Sequence, residues 1–274
     1  MAGSPAERPI GVFDSGVGGL TVLRELRREL PGEDFIYFGD SARAPYGPKG
    51  AETVVRYARE CAAFLLERDI KLLIVACNTA SSLALQALQA MCPCPVLGTI
   101  EPAVQAALSD GPAGSIAVIG TEATIGSEAY DRRLRELRPS LQIYSRACPL
   151  FVPLVEQGML SGEIVEKIVE LYLLELRGCQ LDSLILGCTH YPLLKPVIAA
   201  YLGDSVRVIE CSTAVAREAK ALLISQGLQR NSGTGADSWF VTDDVLRFNR
   251  LAELFLEKRG ISALKVNLVQ GDGK

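Results

Sequence analysis

Short apolar runs and amphipathic stretches alternate along almost the whole chain. Residues 10–14 have strand character, and 20–30 follow with Leu20, Leu23, Leu26 and Leu30 on one helical stripe. A second strand is predicted at 34–38, then a helix over 52–67 that turns Val54, Val55, Ala58, Cys61, Ala62 and Leu65 to one face. The third strand, 72–76, is continuous and apolar, as a strand covered on both faces should be. A helix at 81–91 and a fourth strand at 96–100 complete the series.

The series then begins again: strand 115–120, helix 129–137, strand 141–145, helix 162–176, strand 183–187, helix 193–202 and strand 206–210. Leu73, Ile74, Val75, Ala76 and Cys77 align without a gap on Leu184, Ile185, Leu186, Gly187 and Cys188. The same offset carries Ala103-Val104 onto Ala214-Val215, after the fourth strand of each half. Five apolar matches alone could be chance, but the shared order of elements points to duplication. Strands alternating with helices imply parallel sheets covered on both faces. The fold expected is therefore α/β: two similar doubly wound domains related by pseudo-twofold symmetry, with the active site in the cleft between them. A polar, Gly-rich stretch, 229–238, is followed by a strand (239–242), a helix (245–258) and a strand (264–269) without counterpart in the second half. They are expected to return to the first domain, giving 1–98 plus 211–274 for the first and 99–210 for the second. Two crossings between domains would then form a hinge.

Composition narrows the function. With 274 residues, 49% of them hydrophobic, the chain can bury one generous core or two modest ones. A net charge of −4 argues against a nucleic-acid partner. No apolar run reaches the roughly 18 residues of a membrane span. Residues 1–9 lack the basic-then-apolar plan of a signal peptide, so a cytoplasmic location is expected. The eight cysteines then read as free thiols. Cys92-Pro93-Cys94 has no second pair at zinc spacing, and no metal is expected there. Cys61, Cys148 and Cys179 lie in or beside apolar patterns and read as small buried hydrophobes.

In open parallel sheets, ligands bind beyond the carboxyl ends of the strands. Asp14-Ser15 ends the first strand and Cys77-Asn78-Thr79 the third; Gly120-Thr121 and Cys188-Thr189-His190 hold the same places in the second half. Two cysteines at equivalent positions of facing domains would point into one cleft from opposite sides. Inversion of a carbon by proton transfer needs that geometry, one group removing a hydrogen from one face while the other delivers a proton to the opposite face. A free thiol has a pKa of about 8.5, so only a few per cent is thiolate at neutral pH and assistance should be near. The plainer reading, two buried cysteines that coincide by descent, is weakened by the polar residues that follow each.

His190, the only histidine, could stabilise a Cys188 thiolate or be a satisfied structural residue. Asp14 could assist Cys77 or cap the next helix. Gly16, Gly18 and Gly19 suit a loop whose amides approach an anion, but their spacing misses the dinucleotide fingerprint and no nucleotide cofactor is implied. Asn78, Thr79, Thr121, Thr124 and Thr189 are short hydrogen-bonding residues at strand ends. Each alone could cap a helix; together they suit an α-amino and an α-carboxylate group. The segment 44–48, with Tyr46 and Gly47, reads as a substrate-covering loop or as a plain Pro/Gly turn. No lysine stands in a recognisable Schiff-base context.

In these residues the chain resembles the glutamate racemases of the aspartate/glutamate racemase superfamily. The resemblance rests on Gly11-Val-Phe-Asp-Ser-Gly-Val-Gly-Gly19, Tyr37-Phe-Gly-Asp40, Pro45-Tyr-Gly47, Ala76-Cys-Asn-Thr-Ala80, Val152-Pro-Leu-Val-Glu156 and Gly187-Cys-Thr-His-Tyr-Pro192. It implies that Cys77 and Cys188 are the acid/base pair, Cys77 serving D-glutamate and Cys188 L-glutamate, with Asp14, Glu156 and His190 assisting. It implies that Asp14, Ser15, Tyr46, Gly47, Asn78, Thr79, Thr121, Thr124, Thr189 and His190 bind substrate. It implies no cofactor and no metal, a cytoplasmic bacterial enzyme supplying D-glutamate for peptidoglycan, and a homodimer. Ala103 departs from the glycine common in the family, at the domain crossover. Other readings stay open: a related racemase of aspartate or a hydantoin, a superfamily isomerase or decarboxylase using one cysteine, or a two-domain protein that binds an anionic metabolite without reacting. A thiol redox protein is disfavoured by the lack of Cys-x-x-Cys.

Overall fold

The computed structural model describes residues 4–109, 114–230, 233–257 and 259–268. The first series runs β1 (Ile10–Asp14), α1 (Leu20–Glu29), β2 (Phe35–Gly39), α2 (Ala51–Leu66), β3 (Leu72–Val75), α3 (Asn78–Met91), β4 (Val96–Leu97) and α4 (Ile100–Ser109). The second runs β5 (Ser115–Gly120), α5 (Glu122–Gly126), α6 (Ala129–Leu137), β6 (Gln142–Ala147), α7 (Phe151–Glu156) and α8 (Glu163–Arg177), then β7 (Ser183–Gly187), α9 (Lys195–Leu202), β8 (Arg207–Glu210) and α10 (Cys211–Ser225). The chain finishes with β9 (Asp237–Val241), α11 (Val245–Leu256) and β10 (Leu264–Lys265).

Two parallel sheets result, in the orders β10-β9-β2-β1-β3-β4 and β6-β5-β7-β8. The order β2-β1-β3-β4 recurs as β6-β5-β7-β8, and the repeat extends to register. Ile74 lies between Val12 and Leu97, and its counterpart Ile185 lies between Val118 and Ile209. All residues of β1, β3, β5 and β7 are buried, which explains their unbroken apolar sequences. Each buried Val, Leu or Ile contributes about 1.5–3 kcal/mol, so these central strands anchor the loops at their ends. The last strands join the first sheet: β9 runs parallel beside β2, and β10 beside β9. Among the described residues no helix is long and apolar enough to cross a membrane.

Several boundaries differ from the expectation. The fourth strand stops at Leu97 rather than 100, because Gly98 and Thr99 lead straight into α4. The helices α4, α5, α7 and α10 were not foreseen. Small residues blur the periodicity of α4 and α10, whose Ala103, Val104, Ala214 and Val215 are all buried. These helices follow equivalent strands and pack on one another, and α10 also covers α1. The packed helices α4 and α10 are therefore a seam between the two series. The helix α3 begins at Asn78, three residues early, because Cys77 caps it. Lys258 and Val269, the expected ends of the last helix and strand, lie outside the described residues; α11 ends at Leu256.

Candidate active site

The carboxyl ends of β1, β3, β5 and β7 bring the candidate residues together. Asp14 closes β1 and is fully buried; its Oδ2 accepts the Gly16 N–H at 2.9 Å. This is a local turn bond, whereas the N-cap of α1 is Gly19, so the helix-cap reading of Asp14 does not hold. Asp14 Oδ1 has no hydrogen-bond partner among the described residues. Burial pushes the Asp14 carboxyl up, against the charge of His190 and the amides of Gly16 and Gly19.

Cys77 is the N-cap of α3, its Sγ accepting the Ala80 N–H at 3.5 Å and donating to Ser15 Oγ at 3.4 Å. Cys188, after β7, lies 3.9 Å from His190 Nδ1. The sulfurs belong to residues only 5% and 6% exposed, and all cysteines among the described residues are free. Burial, then the charge of Asp14, pushes the Cys77 thiol from 9.0 up to about 11. Burial also raises the Cys188 thiol well above 9.0, opposed by the His190 amide and reinforced by the charges of Cys77, Asp14 and Cys211. Cys188 is thus near enough to Cys77 to be raised by its charge, and burial favours the protonated form of both thiols.

This gives a stability prediction. Below pH 9 both states keep the Cys77 proton; between pH 9 and 11 the unfolded chain loses it while the folded chain holds it. The stability linked to the proton therefore disappears as pH rises through that window. Denaturant midpoints are expected to fall there, and to fall less steeply in Cys77→Ala; equal slopes for the two proteins would contradict the assignment.

His190 belongs to a chain of contacts. Its Nε2 meets Glu156 Oε1 at 3.1 Å, and Arg247 Nη2 donates to Glu156 Oε2 at 2.7 Å. Burial would raise the Glu156 carboxyl, but the hydrogen bond and charge of His190 and the charge of Arg247 outweigh it and hold it low. Phe255 meets the His190 ring edge-on at 5.5 Å. Arg247 and Phe255 lie on α11, so the returning C-terminal helix supports a residue of the second series.

Two of the contacts between the halves lie beside the candidate residues. Thr79 Oγ1 lies 2.9 Å from Thr121 Oγ1 and 3.2 Å from Thr124 Oγ1, a triangle of hydroxyls that Thr121 and Thr124 close at 2.9 Å. Nearby, the Gly47 carbonyl accepts the Ala123 N–H at 3.0 Å, and a Cβ on Gly47 would come within 2.9 Å of Thr121 Cβ. At the second contact Thr21 Oγ1 donates to the Thr189 carbonyl at 3.0 Å, and Gly18 packs against Thr189 and His190. A cavity of about 430 Å³ lined by Pro45, Gly47, Thr121, Val152, Glu156 and Arg247 lies beside this cluster.

Most sequence-predicted site residues therefore converge. Tyr46 is the exception in its side chain: it is buried against Phe13 and Tyr57, with its hydroxyl on Asp40, so only its backbone is left for a ligand. Arg247, Tyr130, Thr99 and Cys211 were not singled out, though each contacts a candidate residue. No local pattern marks them, because their positions depend on how distant segments return. Cys61 and Cys148 are buried as expected, and Cys179 is half-buried. Among the described residues no group of three His, Cys, Asp or Glu side chains is gathered as a metal site.

Over most of its length the chain is similar to known proteins. Residues 10–219 match the family model described as Asp/Glu/Hydantoin racemase. A glutamate racemase of Geobacter metallireducens is 48% identical over 250 residues, covering 91% of this chain and 93% of that protein. One from Aquifex aeolicus is 49% identical over 247 residues, covering 90% and 93%. The crystal structure of glutamate racemase from Francisella tularensis in complex with D-glutamate superposes with a TM-score of 0.92 at 38% identity, covering 97% of this chain and all of that one.

Proposed function

The chain belongs to the Asp/Glu/hydantoin racemase family, and from that premise we propose that it interconverts L- and D-glutamate by two-base proton transfer between Cys188 and Cys77. The observation that carries this reading is the pair of buried thiols at equivalent strand ends, Cys188 raised in part by the charge of Cys77, with His190 beside the one and Asp14 beside the other.

With L-glutamate, the Cys188 thiolate takes the α-hydrogen; the C–H bond breaks, an S–H bond forms, and the electron pair moves into the substrate carboxylate as an enediolate. The Cys77 thiol then delivers its proton to the opposite face and becomes the thiolate. D-Glutamate follows the reverse path. Asp14 beside Cys77, and His190 held by Glu156 beside Cys188, hold protons for the two sulfurs. The first helical turn behind Cys77 favours its anionic form. A bound α-ammonium group supplies the cation that would bring down thiols raised by burial and by Asp14. Asn78 Nδ2, which has no partner among the described residues, and the threonine hydroxyls serve the carboxylates, and closure of the halves excludes water. This chemistry uses the chain's own residues and calls for no cofactor.

We further assign the product to peptidoglycan supply in a bacterial cytoplasm, expect a homodimer, and divide the chain into domains 1–98 plus 211–274 and 99–210. The deciding experiment follows the circular dichroism of each glutamate enantiomer with chelator-treated, cofactor-free protein. Ellipticity should decay to zero from either side, with L-aspartate at least about a hundredfold slower. Equal turnover of aspartate would overturn the substrate, and tight glutamate binding without decay would favour a binding protein.

A further inference from the structure

Asn78 opens α3 beside Cys77 and is 2% exposed. Its Oδ1 has three potential donors around it: Tyr130 Oη at 2.6 Å, Thr99 Oγ1 at 2.9 Å and Cys211 Sγ at 3.6 Å. Its Nδ2 is buried without a partner among the described residues. The two ends of a carboxamide are nearly the same in shape, so its surroundings decide which end faces where.

Here the surroundings have a direction. The Leu186 carbonyl can only accept, and Cys211 Sγ lies 3.1 Å from it, so the thiol proton points there. Cys211 Sγ also packs 3.2 Å from Tyr130 Oη, with no proton left to share between them. The 2.6 Å between Tyr130 Oη and Asn78 is an O–H···O length, shorter than N–H···O bonds run, so the Tyr130 proton goes to a carboxamide oxygen, Oδ1. Thr99 donates to the same oxygen, its own backbone N–H engaged by Ser81 Oγ at 3.1 Å. Tyr130 is 2% exposed, and burial keeps its hydroxyl protonated.

We infer that Tyr130 and Thr99 form a donor relay that fixes the Asn78 carboxamide with its NH2 group presented as a donor to a substrate carboxylate. Both are positioning residues, acting through Asn78, and Cys211 packs behind the Tyr130 hydroxyl. Thr99 comes from the crossover before α4 and Tyr130 from α6. The second series and this crossover therefore set the polarity of a group in the first, and the donor is oriented only when the halves are docked.

The inference rests on the proposed reaction and on Asn78 as a substrate ligand, and a double-mutant cycle separates the layers. Wild type, Asn78→Ala, Tyr130→Phe and the double variant are assayed for kcat and KM with both glutamate enantiomers, alongside thermal midpoints. Tyr130→Phe keeps the ring and is expected to lower kcat/KM about tenfold, equally in both directions because the enantiomers have equal free energy. On the Asn78→Ala background the same change should cost less than about twofold. Thr99→Val should show the same non-additivity and serves if Tyr130→Phe folds poorly. Additive losses, or unaltered kinetics in Tyr130→Phe beside a costly Asn78→Ala, overturn the relay and leave Asn78 a ligand. A fully active Asn78→Ala overturns both. A wild-type protein that racemises neither enantiomer overturns the reaction itself.

Discussion

Serine at position 77 or 188 is expected to lower racemisation by at least about a thousandfold, because one general acid/base contributes roughly 10²–10⁴ and a hydroxyl cannot replace a thiol in either role. Serine preserves size and can keep the contacts that Cys77 makes with Ser15 and Ala80. What it loses is the ability to become an anion near neutral pH. Both single variants must lose activity equally from L- and D-glutamate, since the ratio of kcat/KM values is fixed by an equilibrium constant of one. The two sides separate in isotope exchange. In D2O, Cys188→Ser keeps Cys77 and should wash deuterium only into D-glutamate; Cys77→Ser keeps Cys188 and should wash it only into L-glutamate. Proton NMR of the α-hydrogen reads this directly, and full racemase activity in either variant would sink the mechanism.

The pair of thiols was legible in the sequence because the repeat is tight where it matters. Cys77 and Cys188 follow strands that align without a gap, and both strands are wholly buried, so selection for packing preserved their register. The α/β class with two parallel sheets was legible for the same reason. Less visible were α4 and α10, where alanine-rich faces carry little periodicity, and the short α5 and α7, too short for any period to register. Arg247 was invisible for a different reason. It reaches Glu156 only because β9 joins the first sheet and returns α11 across the site, a tertiary result that no local pattern encodes. The Tyr46 side chain misled in the opposite sense, since a motif match located the loop but could not say which way the ring turns.

The cleft also carries costs that packing alone would remove. Asp14 Oδ1 and Asn78 Nδ2 are buried without partners among the described residues, and an unsatisfied buried polar group costs about 1–3 kcal/mol. Such groups persist where a ligand completes them. Both stand beside Cys77, at the ends of β1 and β3.

Substitution of Gly18 by alanine is expected to cut kcat/KM by about a hundredfold or more, the loss that follows when catalytic groups are displaced by about 1 Å. A Cβ at Gly18 would collide with Thr189 Oγ1 and lie 2.5 Å from His190 Nδ1. The His190 ring is not free to swing away. The Thr189 carbonyl accepts from Thr21, and the imidazole is held by Glu156 on one side and packed against Phe255 on another. The added methyl must therefore push the halves apart or tilt His190 away from Cys188, and either change disturbs the Cys188 side of the reaction. Gly16, two residues earlier in the same loop, is the control: a Cβ there meets Ala44 Cβ at an ordinary 3.5 Å. Gly16→Ala should retain activity within a few fold, so that steady-state kinetics of the two variants compare steric closeness at the seam with a general effect of stiffening the loop. Equal losses in both would assign the glycines to loop flexibility instead, and remove the seam at Thr189 and His190 from the account of how the halves are held.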